Sequence, residues 1–194
     1  MRAVYQTSVA IGLLLLATLV AAAVVEIRQS TTRREEATAH DKGSRMVVRS
    51  AFFAGYAAAS VAVNEVPTAD IHRGMLALAV ALILIWSGLA IRWWAFRALG
   101  RYFTFTVMTS SDQTIVTNGP YRLIRHPGYA GLLLALAGGG LAFGNWLSLA
   151  AMVVLPLVGV IYRIRIEEAA LLDALGDDYR SYASGRKRLI PFVW

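Results

Sequence analysis

Residues 128–162 form an unbroken run of 35 uncharged positions. As one helix the run would reach about 52 Å at 1.5 Å per residue. The hydrocarbon core of a bilayer is about 30 Å thick. A chain like this must therefore fold back on itself. Gly144-Asn145 is the turn signal within the run, so two short helices closing as a hairpin are predicted.

Three further uncharged runs are long enough to count as spans. Residues 3–25 give 23 positions and residues 74–91 give 18, against about 20 for a transmembrane helix. Residues 50–64 are fewer, but Met46, Val47 and Val48 extend them and Arg49 can snorkel to the interface. Trp93 and Trp94 suit an interfacial aromatic belt, as does Trp146. The first run, with Arg2 before it and Ala21-Ala22-Ala23 near its end, has the alternative reading of a cleaved signal peptide. Its length favours a retained helix. The chain is 57% hydrophobic and only 16% charged, where a soluble domain carries about 25% charge. The predicted fold is an all-α integral membrane protein of about five transmembrane helices.

With five spans, residues 26–49, 92–125 and 163–194 share one side of the membrane. They hold seventeen of the nineteen Lys and Arg residues; Arg2 and Arg73 fall on the other side. The positive-inside rule then predicts an external N-terminus and a cytoplasmic C-terminus. The net charge of +7 finds its partner in an anionic membrane surface rather than nucleic acid, since the basic residues alternate with apolar spans. The absence of cysteine excludes disulfides and thiolate metal sites. His40, His72 and His126 lie in separate loops without ligand-like spacing, so no metal is expected.

Between the spans, residues 26–49 read as a charge-mixed loop with partial helix and residues 65–70 as a short turn. Residues 97–118, rich in strand formers at Tyr102, Phe103, Phe105 and Val107, read as extended or irregular backbone near the membrane surface. Beyond Tyr162 the last helix continues, with Leu171, Leu172, Leu175 and Tyr179 at helical spacing and Gly176 as a stop or kink. The tail 186–194 mixes basic and aromatic residues, as an interfacial anchor does.

Gly119-Pro120-Tyr121, then Arg125-His126-Pro127-x-Tyr129-x-Gly131, stand at the mouth of the hairpin, and Arg163-x-x-x-Glu167-Glu168 follows its second helix. Polar residues that persist at the edge of an apolar span usually serve a site. Together with Leu175-Gly176-Asp-Asp-Tyr179-x-x-Tyr182 and Arg188-Leu-Ile-Pro191, this ordered pattern resembles the isoprenylcysteine carboxyl methyltransferase family. It is also similar to the related membrane phospholipid methyltransferases. The resemblance covers about residues 99–194, giving an N-terminal part of three spans (1–98) and a methyltransferase core (99–194).

The resemblance implies S-adenosyl-L-methionine as cofactor, with S-adenosylhomocysteine as product, bound in a C-terminal cytoplasmic cap. It implies Gln113, Thr114, Ile115 and Val116 as a shelf for the nucleoside, and Tyr121, His126, Pro127, Gly128, Tyr129 and Glu167 as pocket lining, with Arg125 and Glu168 beside them. Arg163 matches the family's substrate-facing arginine. Arg163 and Glu167 lie four residues apart and share a helical face. That face would present a cation to an acidic acceptor and an anion to the ammonium or ribose of the cofactor, while His126 or Arg125 could meet its carboxylate. The bland alternatives are an ordinary i,i+4 ion pair for Arg163 and Glu167, a helix-start role for His126 before Pro127, and a membrane-anchor role for Arg122 and Arg125. Gly138-Gly139-Gly140 reads as a close helix-packing surface, with a cofactor contact as its alternative.

The expected activity is methyl transfer to a lipidic, isoprenoid-like carboxylate that arrives laterally from the bilayer. N-methylation of a phospholipid amine is the alternative. A non-catalytic membrane scaffold or a small transporter is the reading from another class, but a transporter should show charged or repeated broken helices, and neither is evident.

Overall fold

A computed structural model describes residues 38–39, 42–71, 74–100, 108–109 and 115–194. The predicted first span and Gln113 and Thr114 of the nucleoside shelf lie outside these residues, as do His40 and His72. Four helices carry the described fold: α1 (Ser44–Glu65), α2 (Met75–Leu99), α3 (Pro127–Ala142) and α4 (Trp146–Ser184). Short 3-10 turns occupy Pro67–Ala69 and Gly119–Arg122. Strands β1 (Thr38–Ala39) and β2 (Met108–Thr109) form one antiparallel pair. The latter supplies a little of the extended backbone expected over 97–118.

The uncharged run folds back where its sequence breaks. Phe143 and Gly144 make the turn, with Gly144 at φ +68. Asn145 then caps α4, its Oδ1 accepting from the backbone N–H groups of Leu147 (2.9 Å) and Ser148 (3.1 Å). Its Nδ2 donates to Val66 O at 2.9 Å, and Ile71 N donates to Gly144 O at 2.9 Å. One asparagine thus starts a helix and ties the hairpin turn to the link between α1 and α2.

Neighbouring helices run antiparallel, with α1 against α4, α4 against α3, and α3 against α2. The approach is close because glycine lies at the contacts. A Cβ at Gly88 would come within 2.5 Å of Gly131 O, and one at Gly138 within 2.6 Å of Ala81 O. Gly140 faces the other way, onto Leu149 and Met152 of α4. The glycine triplet is therefore a packing surface on two sides of α3.

α1, α2 and α4 are long and apolar enough to cross a membrane, while α3, at 16 residues, is shorter. Two boundaries differ from the sequence reading. α1 begins at Ser44, two residues ahead of the expected extension to Met46, so that Arg45 and Arg49 both lie within the helix. α2 continues past residue 91 to Leu99, its cations laid over aromatic faces: Arg92 lies 4.5 Å from the Phe96 ring centroid and Arg97 5.2 Å from that of Trp93. In α4, Gly176 takes φ 51 and ψ −124, a kink at the glycine the sequence marks.

Candidate active site

The polar residues gather at the end of the bundle opposite the Gly144 turn. Pro120 starts the 3-10 turn, and Pro127 starts α3 at its first position, where a missing N–H is harmless. Between them Ile124 pairs with Lys187. Arg125 N donates to Lys187 O (2.8 Å) and His126 N to Arg188 O (2.9 Å). The C-terminal segment is thus laid along the mouth of the hairpin.

Two hydrogen-bonded groups stand side by side there. In the first, the Tyr129 hydroxyl accepts from Arg163 Nε (2.6 Å) and donates to Glu167 Oε2 (2.8 Å). Arg163 Nη1 donates to Ser44 Oγ of α1 at 2.9 Å, and both residues are buried. The helix positions 163 and 167 share a face, as their spacing requires, and Tyr129 from α3 stands between their polar ends.

In the second group Glu168 is the hub. Its Oε1 accepts from Arg125 Nη1 (2.7 Å) and lies 3.2 Å from His126 Nε2; its Oε2 accepts from Arg188 Nε (2.9 Å) and Nη2 (2.7 Å). An ionised carboxylate only accepts, so Nε2 of His126 carries the proton. Glu168 lies beyond the uncharged part of α4. Burial works to raise its pKa, but hydrogen bonds from His126 and Arg188 and the charges of His126 and Arg125 outweigh it, holding the carboxyl at about 2. Arg125 and His126, read from the sequence as able to meet a cofactor carboxylate, face the carboxylate of Glu168 instead.

The other expected residues lie around this centre. Tyr121 is buried, and its backbone oxygen accepts from the Tyr182 hydroxyl at 3.0 Å. Burial, with Glu167 nearby, pushes its own phenol well above the usual value. Pro127 and Gly128 are buried, and Gly128 O accepts from Arg92 Nη1 at 3.0 Å. Ile115 and Val116 are half-buried in irregular chain ahead of the 3-10 turn. Among the described residues no group of three or more His, Cys, Asp or Glu side chains is placed to hold a metal.

Sequence reasoning overlooked four contributors: Ser44, Arg92, Arg188 and Tyr179. Arg188 and Tyr179 stand in the quoted C-terminal motifs, which was the available signal, whereas Ser44 carried none. Tyr179 is the most informative. It is 4% exposed and its hydroxyl has no hydrogen-bond partner among the described residues. Burial first, then the charges of Glu168 and Glu167, raise its pKa. A buried, unsatisfied hydroxyl costs about 1–3 kcal/mol, so an orphan beside two carboxylates fits a site that receives a polar molecule.

The sequence profile of the isoprenylcysteine carboxyl methyltransferase family matches residues 79–173. The match begins within α2, earlier than the motifs alone suggested, which accords with the close packing of Gly88 on Gly131. A probable protein-S-isoprenylcysteine O-methyltransferase of Oryza sativa subsp. indica is 33% identical over 59% of this chain and 61% of its own length. Protein-S-isoprenylcysteine O-methyltransferase A of Arabidopsis thaliana is 35% identical over 58% of each chain. The solved structure of a eukaryotic intramembrane Ras methyltransferase, itself an isoprenylcysteine carboxyl methyltransferase, superposes with a TM-score of 0.63 at 26% identity. That superposition covers 75% of this chain and 52% of the other. The chain thus spans about three fifths of the length of the curated relatives it matches. Over residues 79–173 the chain is thus similar to the isoprenylcysteine carboxyl methyltransferase family.

Proposed function

We propose that this protein is an S-adenosylmethionine-dependent membrane methyltransferase acting on a lipidic, isoprenoid-like carboxylate. The observation that carries the reading is the Arg163–Tyr129–Glu167 relay, a buried cation and an anion held by one hydroxyl where the two hairpin helices meet. The relatives' names supply the reaction class.

When bound, S-adenosylmethionine supplies an electrophilic methyl group. The residues present fit such a molecule: Glu167 for its ammonium or ribose hydroxyls, Tyr121 and Tyr129 for an aromatic face, and the orphan hydroxyl of Tyr179 for a further polar atom. Arg125, His126, Pro127 and Gly128 line the pocket, with Glu168 and Arg188 bracing its rim. Ile115 and Val116, with Gln113 and Thr114, serve the nucleoside. Arg163 orients an anionic acceptor, its own direction set by Ser44 and Tyr129. A carboxylate is already ionised and needs no general base, so alignment and exclusion of water carry most of the rate.

In this reading the protein has five spans. α3 and the first part of α4 together dip through the bilayer, and the N-terminus is external. The C-terminus and cofactor site are cytoplasmic, and residues 99–194 form the methyltransferase core. The placement of both interhelical turns at one end of the bundle and the polar residues at the other supports that arrangement.

Calorimetric titration of S-adenosylhomocysteine into detergent-solubilised protein tests the cofactor. Binding that weakens on Glu167→Ala is expected, and no binding would end the enzyme reading. Radiolabelled methyl transfer into prenyl-cysteine analogues and phospholipids tests the acceptor. Label found only in phosphatidylethanolamine would replace the carboxylate by an amine.

A further inference from the structure

After Arg188 the chain does not run off into water. Leu189 is 5% exposed and packs with Val160 and Ile164 of α4, against Tyr129, Leu132 and Leu133 of α3. Most of these partners belong to the uncharged run 128–162, so the tail returns to the level of the apolar hairpin.

From there it closes into a finger. Leu189 N (2.7 Å) and Ile190 N (2.8 Å) donate to Trp194 O, while Val193 N and Trp194 N donate to Ile190 O, both at 3.2 Å. Pro191 has no N–H to satisfy. Of the five backbone N–H groups of residues 189–194, all but that of Phe192 are thus paired within the segment, which lowers the cost of leaving bulk water for the acyl–headgroup boundary.

The side chains point the other way. Phe192 is 95% exposed, Val193 69% and Ile190 55%, and Leu123 from the adjoining strip, beside the Ile124–Lys187 pairing, is 63% exposed. Exposed Arg122 and Lys187 flank them, and the Arg188 guanidinium lies 5.5 Å from the Trp194 ring centroid. Apolar tips beneath a collar of cations are complementary to acyl chains beneath anionic headgroups.

We infer that residues 189–194 form a lipid-seated finger, with Ile190, Phe192 and Val193 in the acyl–headgroup boundary and Arg122 and Lys187 on anionic headgroups. Because residues 186–188 pair with the strip at 124–126, the seated finger also braces the rim of the site.

The test needs no enzyme activity, so it stands or falls apart from the methyltransferase reading. The chain has no cysteine, so Phe192→Cys, Val193→Cys and Asp177→Cys can each carry a single nitroxide label. The protein is reconstituted in vesicles of phosphatidylcholine with phosphatidylglycerol, and collision of the label with oxygen is compared with collision with a water-soluble nickel chelate. At 192 and 193 the oxygen-to-nickel ratio should exceed that at 177 severalfold. Nickel access equal to that at 177 would overturn the proposal. So would poor access to both reagents, which would mean a protein partner such as a second copy. Replacing Arg122 and Lys187 by glutamine should move the labels toward water; unmoved labels would remove anionic headgroups from the assignment.

Discussion

Tyr129 is the side chain on which the site's charge arrangement turns. Its hydroxyl accepts from Arg163 and donates to Glu167, so Tyr129→Phe leaves a buried guanidinium N–H and a carboxylate each short of a partner. Loss of a hydrogen bond to a charged group is worth about 1.5–3 kcal/mol. If the proposed activity is right, methyl transfer should fall roughly tenfold to a hundredfold in initial-rate assays. Arg163→Lys should restore little of an Arg163→Ala defect, because an ammonium cannot reproduce the planar fork that reaches both Tyr129 and Ser44. Glu168 predicts a pH dependence. Its folded pKa is lowered to about 2 from 4.5, so its contribution is complete above the unfolded value and is lost as pH falls from about 4.5 toward 2. Thermal unfolding in detergent should show wild type more stable than Glu168→Gln near neutrality, with the gap closing across that acid range. An equal gap at all pH values would contradict the ion cluster.

Helix contacts depend on the smallest residues. Gly138 of α3 lies against Ala81 and Ile85 of α2, and an added Cβ would meet backbone atoms rather than a flexible side-chain tip. Gly138→Val should therefore cost about 1–3 kcal/mol by overpacking, read as a fall in unfolding temperature, while Gly139→Ala, whose Cβ would meet only the Met152 side-chain tip at 3.6 Å, should change little. Asn145→Ala removes the cap of α4 and leaves Val66 O without its partner. A loss of about 0.5–2 kcal/mol is expected from the cap alone. The fold-back at Gly144-Asn145 was legible because no uncharged run of this length can cross a bilayer once. The start of α1 was legible to within two residues, since Met46, Val47 and Val48 extend the apolar run past Arg49 and the helix begins at Ser44.

Across the four described helices, the interhelical turns lie at one end and the polar groups at the other. The proposed topology predicts that Thr68→Cys reacts with a membrane-impermeant thiol reagent in intact cells, whereas Asp177→Cys reacts only after permeabilisation. The reverse pattern would invert the protein. Periodicity, uncharged length and motif order specify the spans and the common face of Arg163 and Glu167, because each is a property of consecutive or regularly spaced residues. Motif order, through the family resemblance, also brings forward Arg125, His126 and Tyr129, whose side chains the structure joins to Glu168 and Glu167 near the mouth of the hairpin. Pairings between distant segments carry no such local signature. That Glu168 would gather Arg125, His126 and Arg188, that Arg163 would reach Ser44 across 119 residues, and that Tyr179 would be left with an orphan hydroxyl all depend on how four antiparallel helices and a returning tail pack. Hydrophobic patterning says which surfaces must be covered, but close packing at glycine contacts chooses which polar atoms then meet.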